Sequence, residues 1–264
     1  MKSPFLNILR KNSLSFSFII LLVLIWEFSI RFSGLANPPV PAPSQILAAL
    51  FEGRQLFLTN LLPTLAEAAG GFFLGNLIAI AAAMLFVRNK AIEETFYPLA
   101  VVLHSIPMMS IIPLLIIWFG PGYASKVALT TLVTFFPGLV NTVQGLKSVS
   151  PQALELMDVW GARKWTVFWK VRLPSALPYV FAGLKIAAPA SVLGAVVAEW
   201  IGSRQGIGFL MLWEMFNYNP PQLWGTMVIS AAVTMLSFWL LSLAERLAIP
   251  WHESLDQTGG APKE

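Results

Sequence analysis

Six apolar stretches, each close to or above the ~20 residues a helix needs to cross a bilayer, dominate this chain of 264 residues. They lie at approximately 14–32, 61–87, 96–119, 123–143, 176–200 and 224–246. Lipid offers no partner to a backbone amide, so segments of this kind are expected to be helices that satisfy their own hydrogen bonds. Only 11% of the residues are charged and 56% are hydrophobic, against roughly 25% charged in an ordinary soluble domain. The expected fold class is an all-α polytopic membrane protein: six transmembrane helices in one membrane domain, residues 1–264.

The charges that remain are sided. The N-terminus (Lys2, Arg10, Lys11), the segment after the second stretch (Arg88, Lys90), the long segment 144–175 (Lys147, Arg163, Lys164, Lys170, Arg172) and the C-terminus (Arg246, Lys263) hold twelve Lys and Arg. The alternate segments hold four, Arg31, Arg54, Lys126 and Arg204, and Lys185 falls inside the fifth stretch. By the positive-inside rule both termini and the segment 144–175 are expected in the cytoplasm. The net charge of +4 is therefore a mark of sidedness, not of nucleic-acid binding. There is no cysteine, and the two histidines, His104 and His252, are far apart. Neither a disulfide nor a metal site is expected.

The N-terminus imitates a secretory signal, with basic residues before an apolar run and small residues near Gly34. Glu27 and Arg31 separate the run from that point, so an uncleaved first span is expected; the two are four apart on a helix and able to pair. The prolines at 38, 39, 41 and 43 deny the next segment a helix, because proline lacks an amide donor, and Ser44 suits an N-cap for a short helix after it. Gly71, Gly75, Ala79 and Ala83 repeat every four residues in the second stretch, as do Gly183, Ala187, Ser191 and Ala195 in the fifth. Each set forms one stripe where backbones approach closely, either as packing inside one chain or as a dimer seam or moving interface. Pro189 is expected to kink the fifth span, and Pro107 and Pro113 to interrupt the third.

An ionisable side chain is costly in lipid, so His104 is expected to face the bundle interior, either satisfied by a neighbouring serine or carbonyl or lining a solute path with Ser105, Met108 and Ser191. Lys185 is expected to snorkel to the interface, and Glu199, Arg204 and Glu214 to lie in a solvated outer loop. No phosphate-cradling loop is present: Gly70 and Gly75 have the spacing, but Asn76 and Leu77 follow them inside a span. No nucleophile elbow, zinc-protease motif or paired-carboxylate set occurs, so no catalysis and no cofactor are expected.

A loop as long as 144–175 needs structure of its own. Ser150 and Pro151 suit the cap and first turn of a short helix, with Leu154 and Met157 on one side and Glu155 and Asp158 on the other. Gly161 then permits a reversal through positive φ. A basic segment follows, and Pro174 is expected to reset the backbone before the fifth span. With Trp160, Trp165 and Trp169 beside its Lys and Arg, such a segment fits an amphipathic helix on anionic lipid as well as a docking surface for a partner.

Glu155, Gly161, Val171, Leu173 and Pro174 fall at the spacing of the "EAA" loop of ABC-importer permeases, which reads Glu-Ala-Ala, three residues, Gly, nine residues, an aliphatic residue, one residue, Leu-Pro; Leu156 and Met157 replace the alanines. The runs 39–44, 113–120, 173–187, 197–202 and 206–210 are similar to permeases of the nitrate, sulfonate and taurine group. The resemblance covers about residues 35–250 and implies a type I ABC importer permease fold in the bacterial inner membrane. It also implies a second permease copy as a homodimer, two copies of a cytoplasmic ATPase, and an extracytoplasmic binding protein that delivers the solute. Glu155, Asp158, Gly161, Ala162, Leu173 and Pro174 are the ATPase-coupling residues it implies. Related permeases carry sulfonates, nitrate or taurine, and vitamin precursors such as pyrimidines or riboflavin; the absence of a fixed cation on the path favours a neutral or aromatic cargo. The alternative, an ion-gradient-driven carrier, is expected to show acids or paired charges deep in its spans, where sequence places only His104.

Overall fold

The computed structural model describes residues 4–34 and 38–250, with side chains from residue 17 onward. Lys2, Lys263, His252 and the remainder of the signal-like site after Gly34 lie outside the described residues. Among them the secondary structure is helical without strands: α1 (Pro4–Phe32), α2 (Pro43–Glu52), α3 (Arg54–Arg88), α4 (Lys90–Ser105), α5 (Met108–Phe119), α6 (Tyr123–Lys147) and α7 (Pro151–Val159). After α7 come α8 (Lys164–Val167), a π turn (Phe168–Arg172), α9 (Leu173–Glu199), α10 (Ile207–Phe216) and α11 (Pro220–Ala248). Helix α3, helix α6, the continuous helical run Lys164–Glu199, and α11 are each long and apolar enough to cross a membrane, and α4 with α5 forms a fifth such unit, bent by 102°.

Small residues explain why α3, α6 and α9 form the centre. A Cβ added at Gly71 would lie 2.3 Å from Thr130 Cβ, and one at Gly75 would lie 2.7 Å from Thr131 O. Only glycine lets the two backbones come this close, and the Thr134 hydroxyl bonds across the seam to Gly71 O at 3.1 Å. Further along, Gly138 meets Asn76 and Ala79, so α3 and α6 run parallel. Helix α9 covers another side of α6 in the opposite direction, with Gly145 against Ala176, Gly183 against Asn141 and Gly194 against Thr130. Both four-residue stripes are buried. They are seams inside one chain rather than faces left open for a second copy.

Parallel α3 and α6 require the chain between them to cross back, and α4 with α5 does so. Helix α4 packs through Ala100 and Tyr97 on the ends of α3 and α6 nearest α7, in a cluster with Ala83, Phe86, Leu139 and Leu146. Helix α5 packs through Ile112 and Leu115 on Leu129, Val133 and Ala198, towards the opposite end. The third span is thus one crossing made of two helices. The break falls at Ile106–Pro107, where proline supplies no amide, while Pro113 sits within α5 without ending it.

Several local expectations are corrected. Ser44 is not the cap of α2; Ala42 holds that position, Gln45 Oε1 accepts from the Ala42 amide at 2.9 Å, and Ser44 donates to Glu27 at 2.6 Å. Glu27 pairs with Arg31 as its spacing suggests. Lys185 does not snorkel freely: its ammonium meets Glu245 Oε2 of α11 at 2.6 Å. Pro174 does not interrupt the helix. The Leu173 amide bonds five residues back to Phe168 O, and this wider π turn leaves room for the proline ring, which in an α-helix presses on the carbonyl four residues earlier.

Candidate functional site

Helix α7 and the reversal after it are built by local rules. Ser150 Oγ accepts from the Ala153 amide at 3.3 Å, with Pro151 in the first turn, where a missing amide costs nothing. At the other end the Gly161 amide bonds Asp158 O at 2.9 Å and the Ala162 amide bonds Met157 O at 3.0 Å. This pair of bonds is a Schellman cap, which needs a left-handed residue after the helix. Gly161 supplies it with φ +67°.

No residue of α7 is buried. Val159 is 81% exposed, Trp160 70% and Trp165 69%, while Glu155 and Asp158 are exposed beside them. A helix of nine residues is marginal in water alone, and its caps hold its two ends. Of the six residues expected to couple to an ATPase, Glu155, Asp158, Gly161 and Ala162 lie together on α7 and its cap. Leu173 and Pro174 are half-buried at the junction of the π turn with α9. The end of α6 that feeds this loop is tied to α4 by Lys147 and Glu93, at 2.6 Å to Glu93 Oε2.

The four residues expected on a solute path are not one cluster. His104, Ser105 and Met108 gather at the α4–α5 break; His104 is exposed from the chain and its ring stacks on Phe136 of α6, centroids 4.2 Å apart and planes 10° apart. Ser191 is buried in α9, its hydroxyl donating to Ala188 O at 2.7 Å.

Sequence alone missed a buried polar cluster at the end of the bundle opposite α7. Glu199, expected in a solvated loop, ends α9 almost wholly buried. It accepts from Thr64 Oγ1 at 2.6 Å and from the Gly208 amide at 2.5 Å. Thr64 Oγ1 in turn accepts from the Ile207 amide at 2.8 Å, and Asn60 Oδ1 from the Gly206 amide at 2.9 Å. Three side chains from α3 and α9 thereby satisfy the first amides of α10, and a Cβ at Gly208 would lie 2.1 Å from Val196 O. Lys126 Nζ and Glu67 Oε1 are 3.6 Å apart, both buried. Glu214, also expected in solvent, is buried in α10. His104 is therefore not alone among deep ionisable groups. The signal available was Glu67 inside an apolar run and the glycines at 206 and 208, but the α3 partners of the Gly206 and Ile207 amides are 146 and 143 residues distant in sequence.

The family model of the binding-protein-dependent transport system inner membrane component matches residues 75–250. The chain is 36% identical over 237 residues to formylaminopyrimidine transport permease protein ThiX of Halalkalibacterium halodurans, covering 89% of this chain and 94% of that protein. It is 30% identical over 238 residues to riboflavin transport system permease protein RibX of Chloroflexus aurantiacus, covering 89% of each. With taurine transport system permease protein TauC of Escherichia coli the figures are 29% over 252 residues, 92% of this chain and 91% of that one. A solved chain of the MetNI methionine ABC transporter in an inward-facing conformation superposes with a TM-score of 0.66 at 18% identity, covering 74% of this chain and 97% of that chain. That last likeness is one of fold.

Proposed function

The chain belongs to the binding-protein-dependent transport system inner membrane components, with the type I ABC importer permease fold, and from that premise we propose that it forms the solute path of an ATP-driven importer whose power stroke enters through α7. The observation that carries this is the Schellman-capped α7 loop, which holds Glu155, Asp158, Gly161 and Ala162 on the surface beside Val159 and Trp160. In this reading α7 seats in a cleft of a separate cytoplasmic ATPase, two copies of which serve two copies of this chain. The loop continues through α8 and the π turn into α9 as one helical run, so movement of α7 is passed directly to a central span. Both termini and α7 lie in the cytoplasm, and a binding protein delivers cargo at the end marked by the Glu199 cluster. The chain itself performs no bond chemistry.

The cargo is a small solute of the kinds named for the relatives, a pyrimidine or riboflavin on one side, or taurine and sulfonates on the other. A gradient-driven carrier needs acids free to take up and release ions. Glu199 does not supply that role, because both its oxygens are engaged by donors that anchor α10, and Glu67 is held beside the Lys126 ammonium. Affinity purification from native membrane, followed by uptake in proteoliposomes, tests the proposal. Co-purification of an ATPase and uptake that follows ATP support it. Uptake by the chain alone, driven by a proton or sodium gradient, would overturn it.

A further inference from the structure

Helix α6 has 25 residues, about 37 Å at 1.5 Å per residue, and Phe136 lies near its middle. The His104–Phe136 stack therefore sets the α4–α5 break at mid-depth of the bundle. Here α4 ends at Ser105, the Ile106 amide bonds Leu103 O at 3.3 Å, Pro107 has no amide, and the chain turns by 102° into α5. The side chains from Val101 to Pro107 are all exposed from the chain. Irregular backbone at this depth does not face hydrocarbon, which offers its open amides and carbonyls no partner; it is found where protein or a water-filled cavity receives it. This side of α4 and α5 consequently faces water or a second copy, not lipid.

The chemistry around the break is narrow. Between Glu94 and Lys126 the sequence has no Asp, Glu, Lys or Arg. The Ser105 hydroxyl is taken by its own Val101 O at 2.9 Å. Met108 and Met109 supply adaptable thioether surface. One face of the exposed His104 ring lies flat on Phe136, the one ring it meets among the described residues. The other face is available to a planar ligand, and aromatic surfaces favour offset stacking at such separations.

Resting on the importer reading above, we propose that the α4–α5 break lines the translocation path and that the open face of His104, backed by Phe136, receives a neutral planar heteroaromatic cargo. Phe136 acts as the positioning surface, and no charge selects the cargo at this station.

Because the chain has no cysteine, Met109→Cys gives a single reporter at an exposed site beside the break. The full complex with its co-purifying subunits is placed in nanodiscs and modified with a charged, membrane-impermeant thiosulfonate; Ile117→Cys, on the outer face of α5, is the comparison. Caffeine serves as a neutral planar probe and glycine betaine as a non-aromatic one. The expected result is rapid modification at 109 and slow modification at 117. Caffeine should slow the reaction at 109 and betaine should not. His104→Phe should keep the protection, and His104→Ala should weaken it about two- to tenfold, the range of one stacking contact. No modification at 109 overturns the placement on an aqueous path. Equal protection by caffeine and betaine, or protection unchanged in His104→Ala, overturns the cargo class while leaving the importer reading intact. Absence of any ATPase from the complex is the separate failure of that reading.

Discussion

Gly161 offers a clean separation of backbone conformation from packing. Its φ is +67°, and a Cβ built there meets nothing within 4 Å. Gly161→Ala therefore adds no clash, only the cost of holding an L-residue in the left-handed region, about 1–2 kcal/mol. That is a factor of roughly 5–30 in the population of the native reversal. Nothing in α7 is buried, so no core contact opposes a change of path, and the loop will leave its Schellman geometry rather than bear the strain. Gly34 is the matched control, with the same φ of +67° and the same open surroundings, but before α2 rather than after α7. Gly161→Ala should leave expression and Tm unchanged. It should lower the ratio of solute imported to ATP hydrolysed by several-fold or more, measured in proteoliposomes with the co-purifying ATPase. Gly161→Asn should recover part of the loss, since Asn tolerates this conformation, and Gly161→Val should be the worst because a β-branched residue is a true outlier there. Equal coupling in Gly161→Ala and Gly34→Ala, or no ranking among Asn, Ala and Val, would refute the reasoning.

Gly71→Ala is expected to lower the Tm in detergent, with an overpacking cost of about 1–3 kcal/mol, because its Cβ meets Thr130 on both side chain and backbone; Gly122→Ala, with nothing within 4 Å, should not. Glu199→Ala leaves the Gly208 amide and the Thr64 hydroxyl without their acceptor and should cost about 1–3 kcal/mol, read as faster hydrogen exchange at the start of α10; exchange no faster than in the unaltered protein would remove Glu199 from its anchoring role. Glu214 lies between spans, and burial raises its carboxyl pKa above the ordinary value while a hydrogen bond from Asn219 pulls it back. A raised acid binds its proton more tightly in the folded chain, so its contribution is complete below the ordinary carboxylate pKa and is lost as pH rises through the folded-state value. Glu214→Gln should flatten that decline in Tm between acid and neutral pH, and an unchanged profile would contradict it.

Local rules were legible and distant partners were not. Ser150, Pro151 and Gly161 act on neighbours within a turn, so the boundaries of α7 and its reversal follow from their chemistry. The stripes Gly71–Ala83 and Gly183–Ala195 show which faces pack closely, but not that both faces meet α6 of the same chain. That needed the parallel course of α3 and α6, which in turn makes α4 and α5 one broken crossing. Glu199 and Glu214 looked like loop charges because the apolar run ends beside them; the burial of Glu199 depends on Thr64 of α3 and on the fold of α10 back over α9. Lys185 resembled a snorkelling lysine because Glu245, its counter-ion, is 60 residues away. Pro174 misled for a different reason, since the π turn that accommodates it leaves no mark in residue spacing.

The central claim is that α7 is a docking element for a separate ATPase rather than an amphipathic segment resting on lipid. A photo-cross-linking residue at Trp160, activated in native membranes with the exposed Ile117 of α5 as the comparison, tests it directly. The account predicts that the residue at 160 forms a discrete adduct with a nucleotide-binding subunit, diminished in Gly161→Val, while the one at 117 labels lipid. Labelling of lipid alone from position 160 would contradict it.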